Sequence, residues 1–390
     1  MNYKISHPTK IVNCDIELPS SKSLSNRLLI IQALCNTDFK IDNLSDSYDT
    51  KYLQRALISD KNTIDVGHAG TTFRFLTSYL SSQNNTELVL TGSDRMKERP
   101  IKGLVNALRS MGSKIDYLEK EGFLPLKITG GKLDGGKIEI DGDISSQFIT
   151  SILLIAPILK KGIELHINKE IVSRTYIEMT LALMKEFGID SHWKDNIISI
   201  EPQSYTAKRY KLESDWSSAS FWFEIAALSN SCEIKLNGLK EDSIQGDKKN
   251  IAIFNKLGVD SSFEEGVLIL KKNQNIHANK AYDLLNTPDI YQSLRCTLFG
   301  LNIKSKFLGL STLKDKETNR IIAVDNELEK LTSSKIIDTY KDHRMAMSFA
   351  PCCLRFGELQ INDVEVVNKS YPKFWKDLKK AGFIISVLSH

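Results

Sequence analysis

Seven positively charged residues stand in short polar segments at or near the start of apolar stretches of the sequence. They are Lys22, Arg27, Arg99, Lys316, Arg320, Arg344 and Lys369. Arginine forks recognise phosphate and carboxylate groups, and lysines add point charges and a proton donor. Two carboxylates, Asp289 and Glu317, accompany them, and carboxylates kept among cations commonly transfer protons or hold a hydroxyl. The pattern favours a site for substrates that carry several negative charges.

Six nearly all-apolar segments, each opened by small polar residues, are expected to be buried helices. Their first residues are N-cap types, and a helix N-terminus attracts anions. The first of them begins Ser20-Ser21-Lys22-Ser23, which is a phosphate-site composition, although an ordinary N-cap with solvated charges has the same pattern. The six are SSKSLSNRLLIIQAL, HAGTTFRFLTSYL, SSQFITSILLIAP, WSSASFWFEIAAL, TPDIYQSLRCTLFG and DHRMAMSFAPCCL.

A second set of six helices is amphipathic, and short alternating strands separate the pairs. The helices are YLQRALIS, VNALRSMG, LALMKEFG, AIFNKLG, NELEKL and WKDLKKAG, and the strands include TELVLTG, KIEIDG, EIKLNG, VLILKK and LQINDVEVV. This repeat predicts an α/β fold of six βαβ-type units, with sheets outside and the apolar helices inside. Three units fall in residues 21–213 and three in 214–390. We expect the strand before Pro19 to pair with the second domain, so that residues 1–20 belong to it. An ordinary α/β sandwich with chance repeats is the alternative.

The composition restricts the class of function. The chain has 390 residues, 52 Lys and Arg against 48 Asp and Glu, and a formal net charge of +4, which does not indicate a nucleic-acid or membrane-surface protein. Six scattered cysteines without a C-x-x-C motif fit buried, reduced thiols in the cytosol. The histidines form no metal-ligand pair, and no apolar stretch is long enough to span a bilayer. We therefore expect a cytoplasmic protein without a catalytic metal.

At these residues the chain resembles the 5-enolpyruvylshikimate-3-phosphate (EPSP) synthase family. The resemblance covers about Pro19 to Leu378, and its motifs occur in the family order. They are SKSLSNR, GHAGTTFRFL, GSDRMKERPI, SSQFITSILLIAP, SRTYIEMTLALM, SSAS, PDI, KETNR, DHRMAM and NKSYPKFW. The resemblance implies two inside-out α/β barrels, each of three βαβαββ-like repeats, joined by crossovers near 19–21 and 212–216, with the active site in the cleft between them.

The implied reaction transfers the enolpyruvyl group of phosphoenolpyruvate to the 5-hydroxyl of shikimate 3-phosphate, without metal or organic cofactor. The family motifs assign the catalytic roles to Lys22, Asp289 and Glu317. The residues implied to bind shikimate 3-phosphate are Lys22, Ser23, Arg27, Ser145, Ser146, Gln147, Ser173, Tyr176, Asp289, Thr312 and Lys316. Those implied to bind phosphoenolpyruvate are Lys22, Gly70, Arg99, Gln147, Arg320, His343, Arg344 and Lys369. The family is monomeric, so these two small molecules are the expected partners.

Some positions depart from the family pattern. Thr312 replaces an asparagine that helps to bind the first phosphate, which puts one phosphate contact in doubt. His68 replaces the asparagine of the G-N-A-G-T turn; it either substitutes a hydrogen bond or alters the pH dependence of binding. Ser20, Asn319 and Trp216 are further departures.

Three other functions compete with this interpretation. The sister family that uses UDP-N-acetylglucosamine as acceptor shares the fold, but its reactive cysteine and its asparagine-containing opening are not matched. A noncatalytic relative would have lost charged site residues, and these are present. A nucleic-acid binder would have a basic stripe interleaved with aromatics, whereas the cations here stand among Ser and Gly.

Overall fold

The computed structural model describes residues 1–84 and 86–388 of the chain. They form two compact units, of which one comprises Met1–Ser21 with Glu213–His390 and the other Lys22–Leu212. The first is called the terminal unit and the second the central unit. No helix in the described part of the chain has the length and apolar character needed to cross a membrane.

The described residues contain fourteen α-helices. They are α1 Lys22–Leu34, α2 Tyr48–Leu57, α3 Gly70–Ser81, α4 Asp94–Lys97, α5 Lys102–Ser110, α6 Ser146–Ile155, α7 Arg174–Glu186, α8 Trp216–Leu228, α9 Asn250–Asn255, α10 Tyr291–Gly300, α11 Arg320–Lys330, α12 His343–Phe349, α13 Cys353–Phe356 and α14 Phe374–Lys380. Short 3-10 turns occur at Ala156–Ile158, Gly246–Lys249, Pro288–Ile290, Ser311–Leu313, Ala350–Cys352 and Val364–Lys369.

Twenty strands accompany these helices in the described residues. They are β1 Asn2–Ser6, β2 Ile11–Glu17, β3 Ile41–Asp42, β4 Thr63–Asp65, β5 Glu87–Thr91, β6 Lys114–Tyr117, β7 Leu126–Thr129, β8 Gly136–Asp141, β9 Ile163–Asn168, β10 His192–Lys194, β11 Ile197–Ile200, β12 Tyr210–Lys211, β13 Ser231–Asn237, β14 Leu257–Glu264, β15 Val267–Ile276, β16 Ala281–Asp283, β17 Lys306–Leu308, β18 Ile336–Ile337, β19 Leu359–Ile361 and β20 Ile384–Leu388.

Each unit carries two four-stranded sheets and one two-stranded sheet among its described residues. The central unit has the orders β4-β5-β7-β6, β10-β11-β9-β8 and β12-β3. The terminal unit has β14-β15-β13-β2, β18-β19-β1-β20 and β16-β17. In each four-stranded sheet one pair is parallel and the other pairs are antiparallel. Strand β2 pairs in parallel with β13 from Ile11 to Glu17, so the segment before Pro19 contributes a strand to a sheet of the terminal unit.

The two predicted kinds of helix are both present. Helices α6 and α8 are buried almost throughout, because their side chains are apolar on every face. Helix α5 is amphipathic, buries Leu104, Val105 and Leu108 and is followed by Gly112. Gly112 has φ +98°, a conformation that favours glycine after a helix. All twelve predicted helices overlap helical segments of the structure, although several run past the helix ends, and the last two residues of AIFNKLG, Leu257 and Gly258, lie in β14.

One strand prediction is wrong over half its length. The segment LQINDVEVV was expected to be a strand, but only Leu359–Ile361 is extended, and Val364–Lys369 forms a 3-10 helix. Asp363 between them has φ +50°, in the left-handed region. A residue in that conformation interrupts an extended strand, and Asp is one of the few side chains that adopt it readily. This helical turn places Lys369 at its last position.

Candidate active site

In the central unit, the first turn of α1 places Lys22 against α2. The Lys22 ammonium lies 3.3 Å from Oδ2 of Asp49, which is buried in the first turn of α2. Helix α2 is capped by Ser47, whose side chain accepts a hydrogen bond from Thr50 N. This cap fixes the start of α2, and so the position of the carboxylate that orients Lys22.

One turn further along α1, the buried Arg27 guanidinium is surrounded by neutral oxygens. Its Nε donates to Oγ1 of Thr180 at 2.7 Å, and its two terminal nitrogens donate to the carbonyl oxygens of Ser23 at 2.8 Å and Tyr176 at 3.2 Å. Burial lowers the pKa of Arg27 to about 9, which the phenol of Tyr176 partly offsets. A buried cation whose described hydrogen-bond partners are all neutral is suited to bind an anion.

Gly70, the first residue of α3, lies against two guanidinium groups. A Cβ at this position would overlap the Arg99 guanidinium and lie 3.2 Å from the nearer terminal nitrogen of Arg74. Arg74 donates to the Gly70 carbonyl at 3.1 Å and to Oε1 of Gln147 at 2.9 Å. The Gln147 amide donates to Oγ1 of Thr71 at 3.4 Å. Helix α3, helix α6 and the segment between α4 and α5 therefore meet in a cationic group at a helix N-terminus, which is the arrangement expected of an anion site.

The predicted serines of the central unit lie at the starts of α6 and α7. Ser145 caps α6 by accepting from Gln147 N, and the buried Ser146 is the first residue of that helix. Ser173 precedes α7 and has φ +55°. This left-handed backbone conformation is uncommon for a residue other than glycine. The Ser173 carbonyl accepts from Tyr176 N at 3.0 Å. His68, one of the departures from the family pattern, is exposed, and its Nδ1 lies 2.8 Å from Oγ of Ser93.

In the terminal unit, Arg320 is the centre of a buried charge network. Its Nε donates to Oδ2 of Asp342 at 2.7 Å, and its terminal nitrogens donate to Asp289 at 3.0 Å and Glu317 at 2.9 Å. Burial alone would lower the pKa of this guanidinium, but the three carboxylates together raise it well above its usual range. Arg320 is therefore a permanent cation, held rigidly at the start of α11.

Two further cations converge on Asp289. Arg344 donates to Oδ2 of Asp289 at 3.0 Å and to its carbonyl oxygen at 2.9 Å, and the Lys316 ammonium lies 3.9 Å from Oδ1. Asp342 caps α12 and accepts from Arg344 N, so one carboxylate positions both arginines.

Glu317 joins this network from its other side. Its two carboxylate oxygens contact Arg320 and Lys369. His343 is buried, and its Nδ1 lies 3.5 Å from Oδ1 of Asp342. The Oγ1 of Thr312 is buried and makes no hydrogen bond with any described residue. Six predicted residues of the terminal unit thus form one network. The Thr312 hydroxyl makes no hydrogen bond to it in the described structure, and His343 adjoins it through Asp342.

Four residues that the sequence analysis did not single out support these groups. Asp49 pairs with Lys22, Arg74 binds Gln147, and Asp342 binds Arg320. Asp247 is buried and accepts from Ser217 at 2.5 Å; burial first and then the charge of Asp289 raise its pKa to about 7. The GHAGTTFRFL and DHRMAM motifs contained Arg74 and Asp342, but Asp49 and Asp247 lie outside the quoted motifs.

These arrangements can bind several anionic groups and transfer protons. The central unit supplies cations at helix starts, and the terminal unit supplies two carboxylates, Asp289 and Glu317, each within contact of cations. Carboxylates held in such a network can exchange a proton when a bound anion takes over a partner cation.

The comparison with known proteins identifies the family. A family model described as EPSP synthase (3-phosphoshikimate 1-carboxyvinyltransferase) matches residues 54–334 and 331–378. A 3-phosphoshikimate 1-carboxyvinyltransferase of Bacteroides fragilis strain YCH46 is 44% identical, with 99% of each chain covered. The chain belongs to the EPSP synthase family.

Another relative and a solved structure agree with this membership. The 3-phosphoshikimate 1-carboxyvinyltransferase of Haemophilus influenzae strain Rd is 34% identical, over 96% of this chain and 97% of the relative. The structure of EPSP synthase from Acinetobacter baumannii aligns with a TM-score of 0.76 over 99% of this chain and 100% of that one. At 21% identity this second likeness establishes the mixed α/β fold alone.

Proposed function

We propose that this chain transfers the enolpyruvyl group of phosphoenolpyruvate to the 5-hydroxyl of shikimate 3-phosphate and releases phosphate, a step of aromatic biosynthesis. The observation that carries the proposal is the 44% identity to a 3-phosphoshikimate 1-carboxyvinyltransferase over 99% of both chains. The family motifs in this sequence retain the charged residues Lys22, Asp289, Glu317, Arg320 and Arg344.

The reaction is an addition followed by an elimination. The 5-hydroxyl oxygen bonds to C2 of phosphoenolpyruvate, its proton leaves to a base, and C3 takes up a proton to give a tetrahedral ketal. The ketal then loses a proton from C3 and the C2–O bond to phosphate, which restores the double bond. No oxidant or reductant is needed.

Within this scheme we assign Asp289 as the base that accepts the 5-hydroxyl proton. We assign Glu317 and Lys22 to the protonation of C3 and its reversal. The support is that each carboxylate lies beside cations that bound anions can recruit: Arg344 for Asp289, and Lys369 for Glu317. When a phosphate or carboxylate of the substrate takes over such a cation, the released carboxylate becomes a stronger base. The remaining arginines stabilise negative charge on the departing phosphate.

The binding assignments follow the family motifs. We assign Ser23, Arg27, Ser145, Ser146, Ser173, Tyr176 and Lys316 to shikimate 3-phosphate, with Thr312 as a further contact. We assign Gly70, Arg99, Arg320, His343, Arg344 and Lys369 to phosphoenolpyruvate, with Gln147 and Lys22 serving both substrates. The buried Arg27 among neutral oxygens supports the first assignment, and the Gly70 group supports the second.

We also propose a fold that is more specific than the mixed α/β class. We propose that each unit is an inside-out barrel of three repeats, with a cytoplasmic monomer as the working form. The support is that each unit has three sheets in its described residues, and that β4-β5-β7-β6 and β10-β11-β9-β8 share one connectivity. Apolar helices such as α6 and α8 are buried within their units.

Phosphate release tests the proposed activity directly. The purified chain is incubated with phosphoenolpyruvate and shikimate 3-phosphate together, and with each alone, in buffer that contains a chelator. We expect phosphate only when both are present, which excludes a metal phosphatase. Release with UDP-N-acetylglucosamine as acceptor instead would assign the sister activity, and no release with either acceptor would contradict the proposal.

A further inference from the structure

Three side chains that are far apart in sequence meet in the core of the terminal unit. They are Glu224 of α8, Cys296 of α10 and Cys352, which ends the 3-10 turn after α12. One carboxylate oxygen and the two Sγ atoms lie within 4.8 Å of one another, and all three residues are fully buried. This is the only such group of ligand-type side chains within residues 1–84 and 86–388.

The polar groups around this cluster are poorly satisfied by protein contacts. Cys352 Sγ lies 3.6 Å from the Ser348 carbonyl oxygen and 4.0 Å from Oε1 of Glu224, both long sulfur contacts, and Oε2 of Glu224 has no hydrogen-bond partner among the described residues. Both amide atoms of Gln292 and the hydroxyl of Ser348 are also buried without a described partner. Gln292 lies one turn before Cys296, and Ser348 one turn before Cys352, so each shares a helix face with its cysteine.

As ordinary core packing, such a cluster would destabilise the fold. A buried polar group without a hydrogen bond destabilises a fold, and apolar side chains of similar size would fill the same space at no such cost. The surrounding core is apolar and close-packed, with Phe221, Phe223 and Met347 among its buried members. The polar atoms therefore point to a ligand that uses them together.

We propose that Glu224, Cys296 and Cys352 bind a structural zinc ion. Zinc accepts sulfur and oxygen ligands in one tetrahedral site, whereas magnesium and calcium take oxygen alone. Tetrahedral zinc with Zn–S bonds near 2.3 Å separates two sulfur ligands by about 3.8 Å. The observed spacing of up to 4.8 Å needs a small inward movement of each side chain. An oxygen ligand, from water or a neighbouring protein group, would take the fourth position.

The bonding and the charge of the site are those of a structural zinc centre. Zinc binds cysteine as the thiolate and glutamate as the carboxylate, so the thiol protons leave to solvent on binding. Two Zn–S bonds and one Zn–O bond form, and the site has a net charge of −1. This is the charge of a structural site with three cysteines and one histidine.

The test compares zinc retention in matched cysteine variants of the full chain. Wild type, Cys352→Ala and Cys353→Ser are expressed with added zinc, purified under a thiol-free reductant and dialysed against zinc-free buffer. Cys353 is the control, because it is the buried neighbour of Cys352 and lies outside the cluster. We expect about one zinc per chain in wild type and Cys353→Ser, and a trace in Cys352→Ala. Equal zinc in all three proteins, or none in wild type, would overturn the proposal.

A second measurement covers the case in which Cys352→Ala folds poorly. Wild type and Glu224→Gln are refolded with cobalt(II), which gives an absorption band in the near ultraviolet when thiolates bind it. We expect the band in wild type and a shifted or weaker one in Glu224→Gln, which keeps both thiols. Absence of the band in folded, phosphate-releasing wild type would also overturn the zinc site. Because phosphate release is measured separately, this failure is distinct from failure of the proposed enzyme activity.

Discussion

The guanidinium of Arg320 and the carboxylate of Asp342 form a pair, 2.7 Å apart, from which water is almost wholly excluded. Their side chains are 2% and 0% exposed. Asp342 also caps α12 by accepting from Arg344 N at 2.9 Å. One carboxylate therefore fixes two arginines that the family motifs assign to phosphoenolpyruvate.

Replacing this carboxylate should weaken both stability and binding. In Asp342→Asn the buried Arg320 loses its closest counter-charge, and we expect a loss of unfolding free energy of about 3 kcal/mol or more. The control is Asp325→Asn, which removes the partly exposed partner of Arg295 and should cost less than about 1 kcal/mol. Denaturant unfolding of both variants measures the difference. Equal losses of unfolding free energy in the two variants would show that the Arg320–Asp342 pair stabilises the fold no more than a surface ion pair does.

Glu317 is the best residue for testing proton transfer. Glu317→Gln keeps the shape and the hydrogen-bonding capacity but removes the base, so turnover should fall by at least about 100-fold while the fold is retained. Glu329→Gln on the exposed side of α11 is the matched control. Phosphate release and circular dichroism are the measurements. Turnover close to wild type in Glu317→Gln would remove this residue from the mechanism.

Arg344 is expected to act in binding more than in turnover. Arg344→Ala removes a charged donor from the proposed phosphoenolpyruvate site, and its KM for that substrate should rise on the order of tenfold to a hundredfold. Arg355→Ala changes an exposed arginine of the same unit and should leave KM unaltered. An unchanged KM in Arg344→Ala would contradict the assignment.

The sequence predicted the helices well because their signals are local. Apolar runs such as SSQFITSILLIAP and amphipathic runs such as VNALRSMG contain the spacing that decides which face is buried. The failure at Asp363 is also instructive. Nothing in the alternating pattern of LQINDVEVV indicates that one residue adopts a left-handed conformation, because that choice depends on packing around the strand end.

The site could be predicted only for residues that lie within motifs. Lys22 stands in a recognisable segment, but its partner Asp49 lies outside the motifs and is brought to it by a tertiary contact. Arg320 and Asp342 both lie in motifs, but only the tertiary fold shows that they pair. Asp247 shows the limit most clearly. Its raised pKa arises from burial and from the charge of Asp289, which lies more than forty positions further along the chain, and local spacing contains no trace of either.

Asp247 should make stability depend on pH. Its pKa is raised from an ordinary value of 3.8 to about 7 in the folded chain, so the unfolded chain ionises first as pH rises. Stability therefore falls between about pH 4 and pH 7, by an amount on the order of 4 kcal/mol, and stays low above that range. Asp247→Asn, which cannot ionise, should gain stability relative to wild type at pH 8 but not at pH 4. Unfolding midpoints at the two pH values provide the test, and an equal difference at both would contradict it.

Gly70 tests the close approach of the two guanidiniums in the central unit. In Gly70→Ala the new Cβ would overlap Arg99 and crowd Arg74, so Arg99 must move away from the start of α3. Since Arg99 is assigned to phosphoenolpyruvate, we expect KM for that substrate to rise while KM for shikimate 3-phosphate changes little. Gly131→Ala is the matched control, because no atom lies within 4 Å of its added Cβ and the φ of Gly131 is not positive. Steady-state kinetics of both variants give the KM values for the two substrates. If Gly70→Ala and Gly131→Ala behave alike, the Arg99 side chain is free to adjust, and the glycine is not required for anion binding at this helix start.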